Sequence, residues 1–339
     1  MTEILQKQIN LQQISSNIYS ASYHHDWIVG KTLNGGHIAS VFMHAARRHL
    51  STDPTLTARD QPDVLSLHIE FLHACEVKDS AIKITILRTG SSTSTLLLEL
   101  SQDSGTSGRN GPNAIAIANS TNFDKALGPS APTDWTLHPP PKPIPDFALV
   151  EANKPEPNWI PATVSGELLT FTRRSVCLNP RGGFPTAGVY DAWNSFRDGE
   201  LMDATYFGLL SDFIPAVGDS LTGEGMFNAH AFYEKMEEWA KEHPGVPAPL
   251  TNTIAEAMKT TRFSHTVTLN LEFRRRVPAE GLRWVFTRTE TKMMEGGRMG
   301  VDITLCDENM NLVCEAHQLI LALDTQRKFL SRRSNPSSL

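Results

Sequence analysis

The sequence predicts an α+β fold made of two copies of one unit, each a helix packed against an antiparallel sheet. Segments in which apolar and polar residues alternate, as in half-buried strands, recur in both halves of the 339-residue chain, and each half also has an apolar helical segment. The strongest observation is an internal repeat: residues 65–71 (LSLHIEF) match residues 267–273 (VTLNLEF), and Arg88-Thr89 then matches Arg288-Thr289 at nearly the same spacing.

The first unit is predicted to span residues 1–125, and its helix follows a glycine pair. Gly35-Gly36 permits an unusual backbone turn, and the following IASVFMHAARRHL has the apolar spacing of a buried helix. Because this helix opens at glycines, its first amide N–H groups are accessible to a ligand oxygen. Four predicted strands follow it: VLSLHIEFL, AIKITILRTG, STSTLLLELSQ and NAIAIANSTNF.

A proline-rich connector, residues 126–162, is predicted to lead into the second unit, residues 163–325. The second unit carries a helical insertion over residues 222–262, and a polar tail follows at residues 326–339. Its predicted strands are LLTFTRRSVCL, GVYDAWNSFRDG, HTVTLNLEFRRRV, LRWVFTRTET, RMGVDITLC and NLVCEAHQLILAL. Joining the two sheets edge to edge would bury both helices and remove two exposed edges, so we expect one continuous sheet.

The helix of the second unit is predicted within residues 199–217, GELMDATYFGLLSDFIPAV. At 3.6 residues per turn it has a broad apolar stripe, and Thr205, Gly208 and Asp212 fall on an adjacent stripe of small or polar residues. Asp203 suits the first turn of the helix, where unpaired amide groups favour negative charge. Taken alone, Asp212 is consistent either with a solvent-facing acid or with a functional carboxylate beside an apolar surface.

Composition and charge exclude several classes of function. A net charge of −6 without an extended basic block argues against nucleic acid as a partner. No apolar run of membrane-spanning length occurs, so we expect no membrane partner and a cytoplasmic location. The C-terminal Ser337-Ser338-Leu339 resembles a peroxisomal address only weakly, because its middle residue is not basic.

No metal and no cofactor are expected either. His24-His25 is given no metal role without a third ligand nearby, and the four scattered cysteines suggest no metal knuckle. Nucleotide-binding glycine loops, serine-hydrolase elbows and zinc-protease motifs do not occur in a fitting context.

Several short motifs together resemble the acyl-CoA thioesterase II family. They are a Gly-Gly turn before the first helix, a strand of the form S-x-H-x-x-F-L, a W-x-x-x-R-D-G segment, a helix ending L-x-S-D-F and a last strand of the form V-x-x-x-x-Q. The residues that carry them are Gly35, Gly36, Ser66, His68, Phe71, Leu72, Trp193, Arg197, Asp198, Gly199, Leu209, Ser211, Asp212, Phe213, Val313 and Gln318. The resemblance covers most of residues 30–322 and implies the double hotdog fold.

The resemblance also implies a set of catalytic residues. In that family an aspartate, a hydroxyl residue and a glutamine hold a water against the thioester carbonyl, and their positions here are Asp212, Thr266 and Gln318. Because Ser264, Thr266 and Thr268 are expected to share one strand face, a two-residue slip would place Ser264 or Thr268 in the hydroxyl role. The family's Asp-His after the hydroxyl residue is replaced here by Thr268-Leu269.

The substrate is expected to contact residues around the two helices. We expect Gly35, Gly36, His37, Gly208 and Thr268 to bind the acyl group or the pantetheine arm. The helix after Gly35-Gly36 has no acidic residue, whereas its counterpart holds Asp212, so we expect one active site per chain.

The resemblance implies an acyl thioesterase that hydrolyses acyl-CoA or a carrier-bound acyl or polyketide thioester with an activated water, and that is a candidate homodimer. One alternative is a non-hydrolytic enzyme on the same scaffold, a dehydratase, isomerase or cyclase of a secondary-metabolite pathway, favoured by the missing Asp-His and the long insertion. A second alternative is a non-catalytic acyl-binding protein.

Overall fold

The computed structural model describes residues 4–103, 111–184, 186–213, 221–222, 229–259 and 262–324. The predicted tail, residues 326–339, lies outside the described residues, as do residues 214–217 of the predicted second helix and parts of the insertion. Among the residues that the structure describes, none of the helices has the length and hydropathy needed to cross a membrane.

The first half has the predicted helix followed by four strands, with small elements before them. Its helices are α1 (Ile4–Ile9), α2 (Gly35–Thr52) and α3 (Pro54–Thr57). Its strands are β1 (Gln12–Gln13), β2 (Ile18–Ala21), β3 (Ile28–Val29), β4 (Thr32–Leu33), β5 (Asp63–Phe71), β6 (Ser80–Thr89), β7 (Ser94–Ser101) and β8 (Ala114–Thr121).

The second half repeats this plan with additions. Its helices are α4 (Phe147–Glu151), α5 (Ala204–Leu210), α6 (Ala229–Glu242) and α7 (Ile254–Ala257). Its strands are β9 (Trp159–Gly166), β10 (Ser175–Pro180), β11 (Val189–Phe196), β12 (Ala248–Asn252), β13 (Arg262–Phe273), β14 (Val285–Glu295), β15 (Arg298–Cys306) and β16 (Leu312–Asp324).

Two boundaries of the second half differ from the prediction. The connector is not purely extended, because it contains α4 and because β9 begins at Trp159, before the predicted boundary at residue 162. The segment LLTFTRRSVCL is a strand only at its end: a 3-10 helix, Thr170–Arg174, precedes β10. The side chain of Thr172 bonds the Leu169 carbonyl at 2.5 Å, which favours this local turn over a strand.

The predicted continuous sheet is confirmed. Within the part of the chain that the structure describes, fourteen strands hydrogen-bond in the order β1-β2-β6-β7-β8-β5-β13-β16-β15-β14-β11-β10-β9-β12. The two halves meet where β5 pairs antiparallel with β13, and this register sets Leu67 opposite Leu271 and Ile69 opposite Leu269. All four of these side chains are fully buried, so the joint between the repeats is part of the core.

Helices α2 and α5 lie on the inner face of the sheet in close contact with each other. A Cβ atom on Gly208 would lie 2.6 Å from the backbone nitrogen of Ser40, which no side chain tolerates without movement. The Ser40 hydroxyl donates to the Thr205 carbonyl at 2.8 Å across the same contact. Gly208 therefore allows the backbones of the two helices to approach each other.

The connector covers the outer face of the second half, whereas helix α6 of the insertion packs at the edge of the sheet on the other face. Phe147 of α4 stacks on Trp284 with ring centroids 5.1 Å apart. The buried Arg288 forms a two-point ion pair with Asp191 and also donates to the Pro139 carbonyl of the connector. Helix α6 packs over the last two strands of the sheet, where Met236 and its neighbours form a separate apolar cluster.

The helix contact gives a direct stability prediction. We expect Gly208→Val to lower the free energy of unfolding by about 2 kcal/mol or more, because the branched side chain overpacks a backbone contact. Gly128→Val is the matched control, since a Cβ atom at Gly128 meets nothing within 4 Å. Urea unfolding of the three proteins checks this, and equal stability of the two variants would contradict the proposed packing role of Gly208.

Candidate active site

Asp212 lies in the turn that follows α5 and is buried, with 9 % of its surface exposed. The helix begins where Asp203 accepts a hydrogen bond from the Thr205 amide, as predicted, but it ends at Leu210. The amide of Asp212 donates to the Leu209 carbonyl at 3.1 Å, which continues the chain in a tight turn. Asp212 is therefore positioned by the helix terminus rather than by a stripe along the helix.

The Asp212 carboxylate contacts the glycine pair that opens α2. The Gly36 amide donates to Oδ2 of Asp212 at 2.9 Å. A Cβ atom on Gly35 would lie 2.8 Å from the same oxygen, and one on Gly36 would lie 2.7 Å from the Leu209 carbonyl oxygen. Both positions require glycine, and the positive end of the helix α2 dipole faces the carboxylate.

The other two predicted catalytic residues connect to Asp212 through its second carboxylate oxygen. Gln318 of β16 donates from Nε2 to Oδ1 of Asp212 at 3.2 Å and to the Ser211 carbonyl at 2.5 Å. Thr266 of β13 donates from its hydroxyl to Oε1 of Gln318 at 3.1 Å. The structure thus brings Asp212, Thr266 and Gln318 into one hydrogen-bonded group.

A β-bulge decides which hydroxyl of β13 belongs to this group. Thr266 pairs with Ile320 and Thr268 pairs with Leu319, so Val267 has no partner and the side-chain alternation reverses there. The prediction that Ser264, Thr266 and Thr268 share one face is therefore wrong. Thr268 lies on the outer face and cannot reach the Asp212 group, whereas Ser264 lies two residues before Thr266.

The first half has the same bulge but a different set of side chains. Its register shift lies between Val64 and Ser66, which corresponds by the repeat to the shift between Thr266 and Thr268. Leu67 pairs with Ala118 as Leu269 pairs with Gln318, so the positions of Thr266 and Gln318 are occupied by Val64 and Ala118. Neither side chain carries a polar group, so the first half does not repeat the hydrogen-bonded group at these two positions.

Two further predicted binding residues have structural contacts instead. Gly208 lies at the contact between α2 and α5. His37 is fully buried, and its ring stacks on Trp27 with centroids 5.3 Å apart and meets Tyr23 edge-on. Burial lowers the pKa of His37 to about 3, so this imidazole is neutral at physiological pH and lacks the basicity of a general base.

The pKa of Asp212 is raised to about 6, from 3.8 in an unburied side chain. Burial is the main cause, because a carboxylate loses its hydration there. Hydrogen bonds from the Gly36 amide and the Gln318 amide, and the nearby Thr266 hydroxyl, oppose the rise. At pH 7 the group is mostly ionised, and it holds a proton more strongly than an exposed aspartate does.

A cavity of about 450 Å³ lies beside this carboxylate. The apolar part of its lining, here called the apolar wall, comes mainly from the β3–β4 hairpin, α2 and the segment before the 3-10 helix. Strand β13 also lines the cavity and contributes polar groups. The apolar lining residues include Val29, Leu33, Ile38, Phe71, Leu168, Leu169 and Ile320, and the polar ones include Thr32, Ser264, His265, Thr266 and Asp212.

The contribution of residues 28–33 and 168–169 to the cavity is not predictable from the sequence, because both segments are too short to show periodicity. Gly35 is the only one of the five predicted binding residues among the residues lining this cavity, while Gly36 acts through its bond to Asp212.

A second cluster of potential ligand atoms lies at the surface. His24, His25 and Asp26 place one ligand atom each within 4.8 Å of one another, so Asp26, the next residue in the sequence, is a third potential ligand beside the histidine pair. Asp26 is already paired with Arg174 at 3.6 Å, and His24 Nδ1 accepts from the Asp26 amide. We assign this cluster no role in the chemistry at Asp212.

Family comparison agrees with the geometry over most of the chain. Residues 23–121 match the acyl-CoA thioesterase N-terminal domain, and residues 132–322 match the acyl-CoA thioesterase C-terminal domain. The chain belongs to the acyl-CoA thioesterase family. It is accordingly a thioester hydrolase, and the predicted double hotdog fold and family are confirmed.

Individual relatives of this thioesterase are distant. The thioesterase-like protein TwmA of Talaromyces wortmannii is 22 % identical over 337 residues, covering 93 % of this chain and 91 % of that protein. A hotdog-fold protein of unknown function from Alicyclobacillus acidocaldarius superposes with a TM-score of 0.63 at 14 % identity, covering 95 % of this chain and 99 % of the other. An acyl-CoA thioesterase II from Mycobacterium marinum gives 0.57 at 17 % identity, with 95 % and 99 % coverage. These two structures support the fold.

The raised pKa of Asp212 predicts a pH-dependent effect on stability. The folded thioesterase binds this proton up to about pH 6 and the unfolded chain only up to about 3.8, so protonation favours the folded state and the benefit is lost as pH rises between these values. We expect Asp212→Asn, which cannot ionise, to gain about 2 kcal/mol relative to wild type between pH 4 and pH 7.

Unfolding by urea at both pH values measures this difference. Because only the change with pH is compared, any constant cost of the altered hydrogen bonds cancels. Asp134→Asn, at an exposed position of the connector, controls for the change in net charge. If the difference in free energy of unfolding between wild type and Asp212→Asn is the same at both pH values, the prediction is contradicted and the carboxylate is hydrated like an exposed one.

Proposed function

We propose that this thioesterase hydrolyses acyl-CoA with a water that is held and deprotonated by Asp212. The observation that carries the proposal is a buried carboxylate, with a raised pKa, hydrogen-bonded to Gly36 and Gln318 at the edge of a largely apolar cavity. A base of this strength stays ionised at neutral pH and is more basic than an exposed aspartate.

Thr266 and Gln318 have separate parts in this proposal. Gln318 uses its amide nitrogen to bind Asp212 and the Ser211 carbonyl, so it orients the base. The Thr266 hydroxyl donates a hydrogen bond to Gln318, and the lone pairs of its oxygen are left to accept a hydrogen bond from water. The water is then held between the Asp212 carboxylate and the Thr266 hydroxyl.

The proposed reaction proceeds in two steps. The water oxygen attacks the thioester carbonyl carbon while Asp212 takes a proton from the water, and the carbonyl oxygen becomes an oxyanion. The tetrahedral intermediate then collapses, the carbon–sulfur bond breaks, and the thiolate leaves as the free carboxylic acid forms. In this proposal the oxyanion is stabilised by the positive end of α2, where Gly35 lines the cavity.

The acyl group is proposed to lie along the apolar wall, beside Leu33, Ile38 and Leu169. A carrier-bound acyl or polyketide group presents the same thioester and is a second candidate substrate. We also propose that the protein forms a homodimer and is located in the cytoplasm. The proposed chemistry uses side chains, the amide end of α2 and water, and it calls for no metal or cofactor.

The two threonines on either side of the bulge provide a matched test. We expect Thr266→Val to lower kcat/KM for acyl-CoA by roughly 100-fold, because a group that holds the nucleophile is lost. Thr268→Val removes the same hydroxyl two residues away on the outer face and should retain the wild-type rate. Asp212→Asn should lose hydrolysis to a greater extent than Thr266→Val.

The assay measures free thiol released from a panel of acyl-CoAs. Equal rates for Thr266→Val and Thr268→Val would remove Thr266 from the mechanism. A wild-type protein that binds acyl-CoA but releases no thiol from any member of the panel would instead indicate a non-hydrolytic enzyme or an acyl-binding protein.

A further inference from the structure

The wall of the acyl cavity is tied to the last strand of the sheet by one buried asparagine. Asn252 ends β12, within the insertion, and only 1 % of its surface is exposed. Its side-chain oxygen accepts hydrogen bonds from the amides of Leu168 at 3.0 Å and Leu169 at 2.9 Å. Its backbone carbonyl accepts from the Glu167 amide at 2.9 Å, so one residue binds three consecutive amides.

The packing around Asn252 is adapted to this contact. A Cβ atom on Gly166 would lie 2.2 Å from Cγ of Asn252, so only glycine fits opposite the asparagine. The side-chain nitrogen of Asn252 is buried without a hydrogen-bond partner among the described residues. A buried donor without a partner destabilises the folded state, so the two hydrogen bonds accepted by the side-chain oxygen are what stabilise this contact.

The segment that Asn252 holds is part of the cavity. Leu168 and Leu169 both line it, and both connect to the β3–β4 hairpin on the same wall. The Leu168 carbonyl accepts from the Gly30 amide at 3.1 Å, and Leu169 forms a bridge with Val29. Hydrogen bonds therefore run from Asn252 through residues 168–169 to the hairpin.

The same insertion also supplies a second part of the cavity lining. Thr253, directly after Asn252, caps α7 through a reciprocal pair of hydrogen bonds with Glu256. Ala257 at the end of α7 lines the cavity. A shift of Asn252 would accordingly move two parts of the cavity lining, residues 168–169 and Ala257.

We propose that Asn252 is a positioning residue that sets the shape of the acyl-binding wall and, through it, the acyl groups this enzyme accepts. The proposal rests on the proposed function in that the wall is taken to contact the acyl group. Asn252 acts through Leu168 and Leu169 and has no part in the proton transfer at Asp212. The insertion therefore helps to determine which acyl groups bind, in addition to covering the edge of the sheet.

The test compares Asn252→Ala, Asn252→Asp and a control with wild type over straight-chain acyl-CoAs from butanoyl-CoA to palmitoyl-CoA. Asn252→Ala removes the acceptor, so the ratio of kcat/KM between the longest and shortest substrates should change about tenfold, mainly through KM. Asn252→Asp keeps an oxygen for both amides and should restore the wild-type profile. The dependence of the rate on pH should be the same in all of these proteins.

Asn194→Ala is the control for a purely structural effect. Asn194 is also buried, with 1 % exposed, and its amide bonds Thr287 between β11 and β14. This variant should lose thermal stability but keep the wild-type acyl profile. An unchanged profile in Asn252→Ala, or an equal change in Asn194→Ala, would overturn the role of Asn252.

A binding series separates this inference from the proposed function. Dissociation constants for the same acyl-CoAs are measured by calorimetry in the Asp212→Asn background, with and without Asn252→Ala. The second substitution should change the ratio of the constants about tenfold between the longest and shortest chains, and an unchanged ratio would contradict the proposal. Absence of thiol release by the wild-type enzyme would overturn hydrolysis alone, because the binding ratio does not depend on turnover.

Discussion

The close contact between the Asp212 carboxylate and the amide of Gly36 is the constraint on which the site depends. It requires that α5 end at Leu210, that α2 open with two glycines, and that the two helices approach each other through Gly208. The same contact places a negative charge at the positive end of an 18-residue helix, which offsets part of the cost of burying it. A side chain larger than glycine at position 35 or 36 would displace the carboxylate.

The duplicated fold is used unequally by its two halves. The first half supplies the helix terminus that binds Asp212, while the second supplies Asp212, Thr266 and Gln318. Because β5 and β13 pair directly, the elements that carry these groups pack on one continuous sheet. The proposed chemistry therefore depends on the joint between the repeats as well as on the side chains.

Much of this arrangement follows from the sequence, and the exceptions have physical reasons. The repeat and the strand periodicity predict the continuous sheet, and Gly35-Gly36, Asp212 and Gln318 lie where their motifs imply. The predicted orientation of Thr268 is wrong because a bulge interrupts the two-residue alternation of the strand, and no glycine or proline marks the bulge in the sequence. The Asn252 contact joins segments more than eighty residues apart in the sequence, and a lone asparagine carries no local signal of it.

The pH dependence of kcat/KM for acyl-CoA, measured on wild type and Asp212→Asn, tests the central claim most directly. If the buried carboxylate is the base, the wild-type value should fall tenfold per pH unit below about 6, where Asp212 becomes protonated. The small residual rate of Asp212→Asn should show no such decline. A wild-type rate that stays constant down to pH 4.5, or a decline that persists in Asp212→Asn, would contradict the assignment of Asp212 as the base.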